Sequence, residues 1–241
     1  MLRPWSDFPI RDSGEALASI PAGLHRLEPH PYVELGAPYG VDGDPFRLRQ
    51  GVISRLLRAE TLLQGSCPGN RLAIFDAWRP LAVQAFMVEH AIDHECACRG
   101  LDRQNISHAA AVKEVVAAVG RFWAPPSSDP LTPPPHSTGA AVDLTLADSK
   151  GLTLAMGGEI DAIGSISYPD HYAAAATADP LSTAALWHQR RSALAGAMAA
   201  AGFAQHPNEW WHFSYGDQIW AWRCGGAEAI YGSCPGPSSI D

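Results

Sequence analysis

Apolar and polar residues are distributed along this chain with two periods, one helical and one of strand type. Over 51–64 (Gly-Val-Ile-Ser-Arg-Leu-Leu-Arg-Ala-Glu-Thr-Leu-Leu-Gln) the apolar groups return at helical spacing. That predicts an amphipathic helix, ended by Ser66-Cys67-Pro68-Gly69-Asn70. Leu72-Ala73-Ile74-Phe75 has the short apolar run of a buried strand, and it leads into Asp76-Ala77-Trp78-Arg79-Pro80. Pro80 suits the first turn of a following helix, where its missing N–H is not needed; that helix is placed over 80–97. Another covers 107–123 with Ser107 as N-cap. A further helix over 182–201 is stopped by Gly202 in the left-handed conformation. Ala141 to Leu146 alternates in strand fashion, and the aromatic run from Trp210 to Tyr215 reads as a strand.

The remaining stretches lack a period. Residues 1–50 are broken every few positions by Pro, Gly and Asp, as in Ala37-Pro38-Tyr39-Gly40 and Asp42-Gly43-Asp44-Pro45, so loops with short strands around 22–34 are expected. Residues 150–180 are irregular, and the Gly/Ser/Pro-rich tail over 225–241 is expected on the surface. The proline-rich stretch 124–135 could be a linker between domains. We read it as a stiff loop crossing a site, because chemistry-bearing residues lie on both sides of it, and we take 1–241 as a single domain.

Composition narrows the class. A chain of 241 residues can bury a substantial core, and 46% hydrophobic with 17% charged residues reads as globular. The net charge of -8, with dispersed Arg and no Lys/Arg run, argues against nucleic acid as partner. No apolar stretch of membrane-spanning length occurs, and the first residues lack the apolar core of a secretory signal. Cys67, Cys96, Cys98, Cys224 and Cys234 are an odd set at irregular spacings, which is not a disulfide framework. A cytoplasmic protein is therefore expected, with a Cys224–Cys234 bridge across the tail as the open alternative.

Candidate chemistry is concentrated in two stretches. In Asn208-Glu209-Trp210-Trp211-His212-Phe213 a carboxylate and an imidazole stand three residues apart within an aromatic run. About seventy residues upstream lies His136-Ser137-Thr138-Gly139-Ala140-Ala141-Val142-Asp143. Asp143 falls inside an otherwise apolar strand, where a lone carboxylate is costly unless paired or bound to a cation. Gly139 and the alanines let the backbone pass close to something, such as a metal or another strand. Two histidines and an aspartate can hold a metal with an open fourth position, as a catalytic zinc is held, and Glu209 is left over where a general base would sit. The structural alternatives are a surface strand with an outward Asp, and an aromatic core strand with a satisfied buried His.

The spacing of Glu209 and His212 fits one face of a helix but opposite faces of a strand. We therefore place Glu209 at the end of a turn begun by His206-Pro207-Asn208 and His212 on the strand itself. Arg79 is a permanent cation with a fixed fork of donors; it stabilises a developing oxyanion or a substrate carboxylate, or else it only pairs with Asp76 at the surface. His90 and His94 are one helical turn apart without the glutamate of a zincin, so they are read as helix surface. Cys96-Ala97-Cys98 lacks a second pair. No nucleophile elbow, phosphate-binding loop or dinucleotide fingerprint is present.

Taken together, Asp76-Ala77-Trp78-Arg79-Pro80, His136-x6-Asp143 and Glu209-Trp210-Trp211-His212-Phe213 resemble the D-alanyl-D-alanine dipeptidases of the VanX type. These are zinc peptidases in a superfamily with D,D-carboxypeptidases and hedgehog-like domains. The motifs span 76–213 in the family's order and spacing, and Met156-Gly157 followed by Asp161 is similar to a further family segment. The resemblance implies an α+β fold, with a small antiparallel sheet carrying the zinc and several helices packed on it. It implies one zinc per chain held by His136, Asp143 and His212, with Glu209 as general base and Arg79 as transition-state stabiliser. Asp76 is a candidate for substrate contact. The implied reaction is hydrolysis of the small dipeptide D-Ala-D-Ala. Two departures stand out: Pro134 occupies a position where the family usually has Ser, and the N-terminal fifth matches only faintly, around Tyr32 and Asp42-Gly43. The rival readings are a D,D-carboxypeptidase or other cell-wall peptide hydrolase, and a non-catalytic zinc-binding module. Retention of both Glu209 and Arg79 speaks against the last.

Overall fold

In the computed structural model, residues 3–40 and 43–234 are described. The chain opens with β1 (Leu17–Ser19), β2 (His25–Arg26), a helical turn α1 (Pro31–Glu34) and β3 (Arg47–Arg49). It continues through α2 (Gln50–Ser66), β4 (Arg71–Asp76), α3 (Leu81–Cys98), α4 (Ala109–Val119) and β5 (Ala141–Ala147). The last part holds α5 (Ala173–Ala178), α6 (Thr183–Ala200), β6 (Ala204–Gln205), β7 (His212–Ser214) and α7 (Gln218–Cys224).

Five strands form one sheet in the order β2-β4-β5-β7-β6, and β1 pairs with β3 in a small second sheet. The main sheet is antiparallel except at its edge, where β2 runs parallel to β4. This is the α+β architecture expected. β5 occupies the centre because it can be wholly buried: all seven of its residues are. Its alternate residues Val142, Leu144 and Leu146 join Leu72, Ile74 and Phe213 in a core covered by Val52, Leu56 and Leu63 of α2 and Leu194 and Met198 of α6. Each such fully buried side chain contributes about 1.5–3 kcal/mol. A second cluster gathers Val83 and Met87 of α3, Val115 and Val119 of α4, and Tyr32, Tyr39 and Trp123.

Element ends follow their caps. α6 starts at Ser182, whose hydroxyl accepts from Ala185 N at 3.2 Å, and the chain leaves it through Gly202 at φ 96°. The helix expected over 107–123 is shorter. Asn105, not Ser107, caps a preceding 3-10 turn, and the helix ends at Gly120, freeing 121–123 as a loop. The strand expected over 210–215 is confined to 212–214, because Trp210 N is taken by Ser167 O at 2.9 Å outside the ladder. Helix α7 lies in a stretch without a clear period, yet Asp217 accepting from Trp220 N at 2.9 Å and Gly225 at φ 65° are its start and stop signals.

The tail expected on the surface is partly inside. Ala229 and Tyr231 are buried, and Ala229 bridges Ile10 of the N-terminal segment. Residues 235–241 lie outside the described residues, as does Asp42. Cys67, Cys96, Cys98 and Cys224 are free thiols, so the Cys224–Cys234 bridge is not formed. Among the described residues no helix is long and apolar enough to cross a membrane.

Candidate active site

The sheet register builds the site. Asp76 on β4 stands opposite Asp143 on β5, after a shift in register past Ile74, and Asp143 stands opposite His212 on β7. One row across three strands therefore carries two carboxylates and an imidazole, on the face away from Val142 and Phe213. His136 reaches this row from a 3-10 turn, Pro135–Thr138. That turn is held by Arg49, whose backbone N bonds Gly139 O and whose Nε bonds Thr138 O, both at 2.9 Å. Gly139 takes φ 70°, and a Cβ there would lie 2.3 Å from Leu17 Cδ2. Its smallness thus serves the approach of β1, not of a metal.

His136, Asp143 and His212 are all buried, and among the described residues they form a cluster whose ligand atoms lie within 4.8 Å of one another. His136 Nε2 is 3.2 Å from Asp143 Oδ2, and His212 Nδ1 is 3.0 Å from Asp143 Oδ1. The hydrogen bonds fix which ring nitrogens are available. His136 Nδ1 donates to Ala77 O at 2.7 Å, leaving the Nε2 lone pair free. Ser214 Oγ donates to Asp217 at 2.7 Å, so it accepts from His212 Nε2 at 3.3 Å and leaves Nδ1 free. Both free lone pairs point at Asp143, and Asp143 Oδ1 has no hydrogen-bond partner among the described residues. Two imidazole nitrogens oriented from behind and one carboxylate suit zinc with an open position. Burial pushes the Asp143 carboxyl up, but His136 and then His212 outweigh it and hold it well below the ordinary range.

Glu209 sits in the turn that joins β6 to β7, opened by His206 as expected. Its Oε2 is 3.7 Å from His212 Nδ1, and its buried Oε1 has no hydrogen-bond partner among the described residues. Burial, followed by the charge of Asp143, pushes its pKa well above the usual glutamate value. Beside the His136–Asp143–His212 cluster, Oε1 is thus a buried oxygen without a hydrogen-bond donor among the described residues.

The Asp76–Arg79 pair is not at the surface. Asp76 is 0% and Arg79 3% exposed. Arg79 gives Nε and Nη2 to Asp76 Oδ2 at 3.1 and 2.7 Å, and Nη1 to Gln84 at 2.8 Å. Nη2 also lies 3.5 Å from Asp143 Oδ2. Burial disfavours the Arg79 cation, but Asp76, Tyr32 and Asp143 together more than compensate and raise its pKa. Asp76 has no room for a substrate: its Oδ1 accepts from His30 Nε2 and Tyr39 Oη, both at 3.1 Å. It stands behind Arg79 and aims it, so the candidate substrate contact becomes a positioning contact.

The cavity in front of the cluster is lined by Arg79, His136, Asp143, Glu209 and His212, together with Arg3, Trp5, Trp123 and Asp161. Ala124 and Pro135, near the ends of the proline-rich stretch, also line it, so that stretch does border the site. Asp161 holds a left-handed φ of 68° and accepts from Tyr32 Oη at 2.7 Å. Burial and the charge of Asp143 raise its carboxyl to about 7. Arg3, His30, Tyr32 and Tyr39 carry no local pattern that marks them as site residues, and Asp161 shows in the sequence only through the family-like segment that contains it. His90 and His94 lie on α3 away from this cavity, as expected.

This chain is similar to several known proteins. Residues 25–225 match the peptidase M15 family, described as D-Ala-D-Ala dipeptidase. A D-alanyl-D-alanine dipeptidase of Synechocystis sp. is 43% identical over 228 residues, covering 92% of this chain and 90% of the relative. One from Escherichia coli is 29% identical over 166 residues, 69% of this chain and 65% of the relative. Among solved structures, a Zn(II) complex of the vancomycin resistance D,D-pentapeptidase VanY aligns with 92% of this chain and 96% of its own, at 15% identity and a TM-score of 0.46. The chain belongs to the M15 peptidase family, in the group described as D-Ala-D-Ala dipeptidases.

Proposed function

We propose that this chain is a zinc-dependent dipeptidase that hydrolyses D-Ala-D-Ala to two molecules of D-alanine. The observation that carries the reading is the buried His136–Asp143–His212 cluster with an unpartnered Glu209 oxygen beside it. His136 through Nε2, His212 through Nδ1 and Asp143 would hold one zinc per chain. When bound, zinc supplies Lewis acidity, lowering the pKa of water and polarising a carbonyl.

The chain's own residues supply the rest. Glu209 takes a proton from the attacking water and gives it to the nitrogen of the leaving D-alanine. Its raised pKa suits both halves of that transfer, since the proton must be held between them. Arg79, aimed by Asp76, meets the carbonyl oxygen as it gains negative charge. Asp161 lies on the Tyr32 and Arg79 side of the cavity and is the anion suited to the substrate's free ammonium. The cavity is about 40 Å³, a few times the roughly 10–15 Å³ that one water requires. It suits a compact ligand better than a chain continuing past both ends. A cytoplasmic setting is part of the proposal, supported by the free thiols of Cys67, Cys96, Cys98 and Cys224.

Zinc-loaded protein should be incubated with D-Ala-D-Ala, with a longer peptide ending in D-Ala-D-Ala, and with L-Ala-L-Ala, following released alanine. Release from D-Ala-D-Ala alone is expected. Equal or faster release from the longer peptide would move the chain to the carboxypeptidase reading, and no release from any of the three would defeat hydrolysis.

The burial of the Arg79–Asp76 pair sets what its loss should do. Arg79→Ala leaves Asp76 charged and uncompensated, which costs about 3–5 kcal/mol of stability for a broken buried pair. It also removes a donor from the developing oxyanion, so kcat should fall at least about a hundredfold. Arg79→Lys keeps the charge without the fork and should fall between the two. Melting and kcat per bound zinc, measured on one preparation, check this; wild-type kcat in zinc-replete Arg79→Ala would remove Arg79 from the mechanism.

A further inference from the structure

Arg3 reaches the cavity from a part of the chain that shows no motif. Its guanidinium is tied to the loop after α4: Nη2 donates to Gly120 O and Trp123 O at 2.9 and 2.8 Å, and Nη1 to Arg121 O at 3.3 Å. These partners are neutral carbonyls. Among the described residues no carboxylate lies within ion-pair distance of Arg3, although burial in the cavity wall disfavours its cation. Of the five N–H donors a guanidinium offers, Nε–H and one on Nη1 have no partner among the described residues. The charge of Glu209 favours this cation without forming an ion pair with it, and a cation with spare donors in the wall of the cavity is a site for an incoming anion.

Its position relative to Glu209 says which end of a substrate that anion would be. Arg121 O accepts from Arg3 Nη1 and also, at 3.4 Å, from the side chain of Asn208, the neighbour of Glu209. Trp5, beneath the Arg3 guanidinium, meets His206 edge-on with ring centroids 5.4 Å apart, and His206 Nδ1 is 3.4 Å from Glu209 Oε1. Arg3 thus shares the Glu209 wall, whereas Asp161 belongs to the wall of Tyr32 and Arg79. The residue that leaves takes its proton from Glu209, and in a dipeptide that residue carries the terminal carboxylate.

Building on the dipeptidase reading, we propose that Arg3 binds the carboxylate of the substrate's C-terminal residue and so restricts cleavage to peptides that end one residue past the scissile bond. The Gln218 side chain, donating to Ser6 O and Phe8 O at 3.2 and 2.7 Å, anchors the segment that carries Arg3. Trp5 lines the same cavity beside it. A longer substrate would put an uncharged amide where Arg3 waits and its continuing chain against Trp5.

The test compares D-Ala-D-Ala with its C-terminal amide in wild type, Arg3→Gln and Arg3→Lys. Two readouts are used: kcat/KM of each zinc-loaded enzyme, and calorimetric binding of both ligands in the Glu209→Ala background. Wild type should favour the free acid by about 10–150-fold, the factor that one hydrogen bond to a charged group is worth. Arg3→Gln should bring the two ligands to near parity by weakening the acid and leaving the amide unchanged, and Arg3→Lys should restore part of the preference. A purely structural Arg3 would weaken acid and amide equally, and that result overturns the proposal. So does a wild type that does not distinguish acid from amide, whether or not Arg3→Gln folds. If D-Ala-D-Ala binds with the expected preference but is not hydrolysed, the dipeptidase reading fails while the Arg3 site stands.

Discussion

Glu209→Ala is expected to retain zinc and the fold while turnover of D-Ala-D-Ala falls by about 10²–10⁴-fold, the range for a lost general acid–base. The His136, Asp143 and His212 atoms that converge on one point do so without Glu209, whose nearer oxygen is 3.7 Å from His212 Nδ1. Three ligands with an open position already define a catalytic zinc. The fold does not need the carboxyl either, because its Oε1 makes no hydrogen bond among the described residues and burial disfavours its charged form. Glu209→Gln should behave the same way, since it preserves shape and removes only proton transfer. Metal content, melting and kcat should be measured together on both variants. Loss of zinc in Glu209→Ala would make Glu209 a ligand and leave the site without its base.

His212→Ala should lose zinc and with it all measurable hydrolysis. His212 supplies one of the two imidazole nitrogens of the cluster formed among the described residues, and its ring is held from behind by Ser214 and Asp217. Zinc binding can be followed without catalysis. At a free zinc concentration a thousandfold above its Kd, binding to the native state alone adds about 4.1 kcal/mol of stability. Wild type should therefore melt higher with zinc, and His212→Ala should not respond. Ser214→Ala offers a graded control, because it keeps the ligand and removes only its support. Zinc affinity should then weaken by about 10–100-fold, as for other lost outer-shell partners. An undiminished zinc-induced rise in melting for His212→Ala would place the metal elsewhere.

How far the site could be read from the chain depended on whether a residue's role was local. Val142, Leu144 and Leu146 announced β5 by alternation, and Asp143 stood out among them as a carboxylate in an apolar strand. The turn at His206-Pro207-Asn208 resolved the conflict in spacing between Glu209 and His212 correctly, because turn residues act over a few positions. The row Asp76–Asp143–His212 was not legible, since register between distant strands depends on pairing that no local pattern encodes. The sequence offers Asp76 as a candidate substrate contact, whereas the fold surrounds it with His30, Tyr39 and Arg79. Arg3, Tyr32 and Asp161 come from segments without a period, and each reaches the cavity only through tertiary contacts. Gly139 carried a real signal of close approach, but to Leu17 rather than to a metal.

The central claim, that hydrolysis of D-Ala-D-Ala depends on one metal held by His136, Asp143 and His212, is tested most directly by titrating zinc into chelator-stripped protein. D-Alanine release and bound metal should be measured at every point. Activity should be absent in the stripped protein, rise in proportion to bound zinc and level off at one zinc per chain. Full activity in the stripped protein, or failure to bind zinc at the site, would contradict the account.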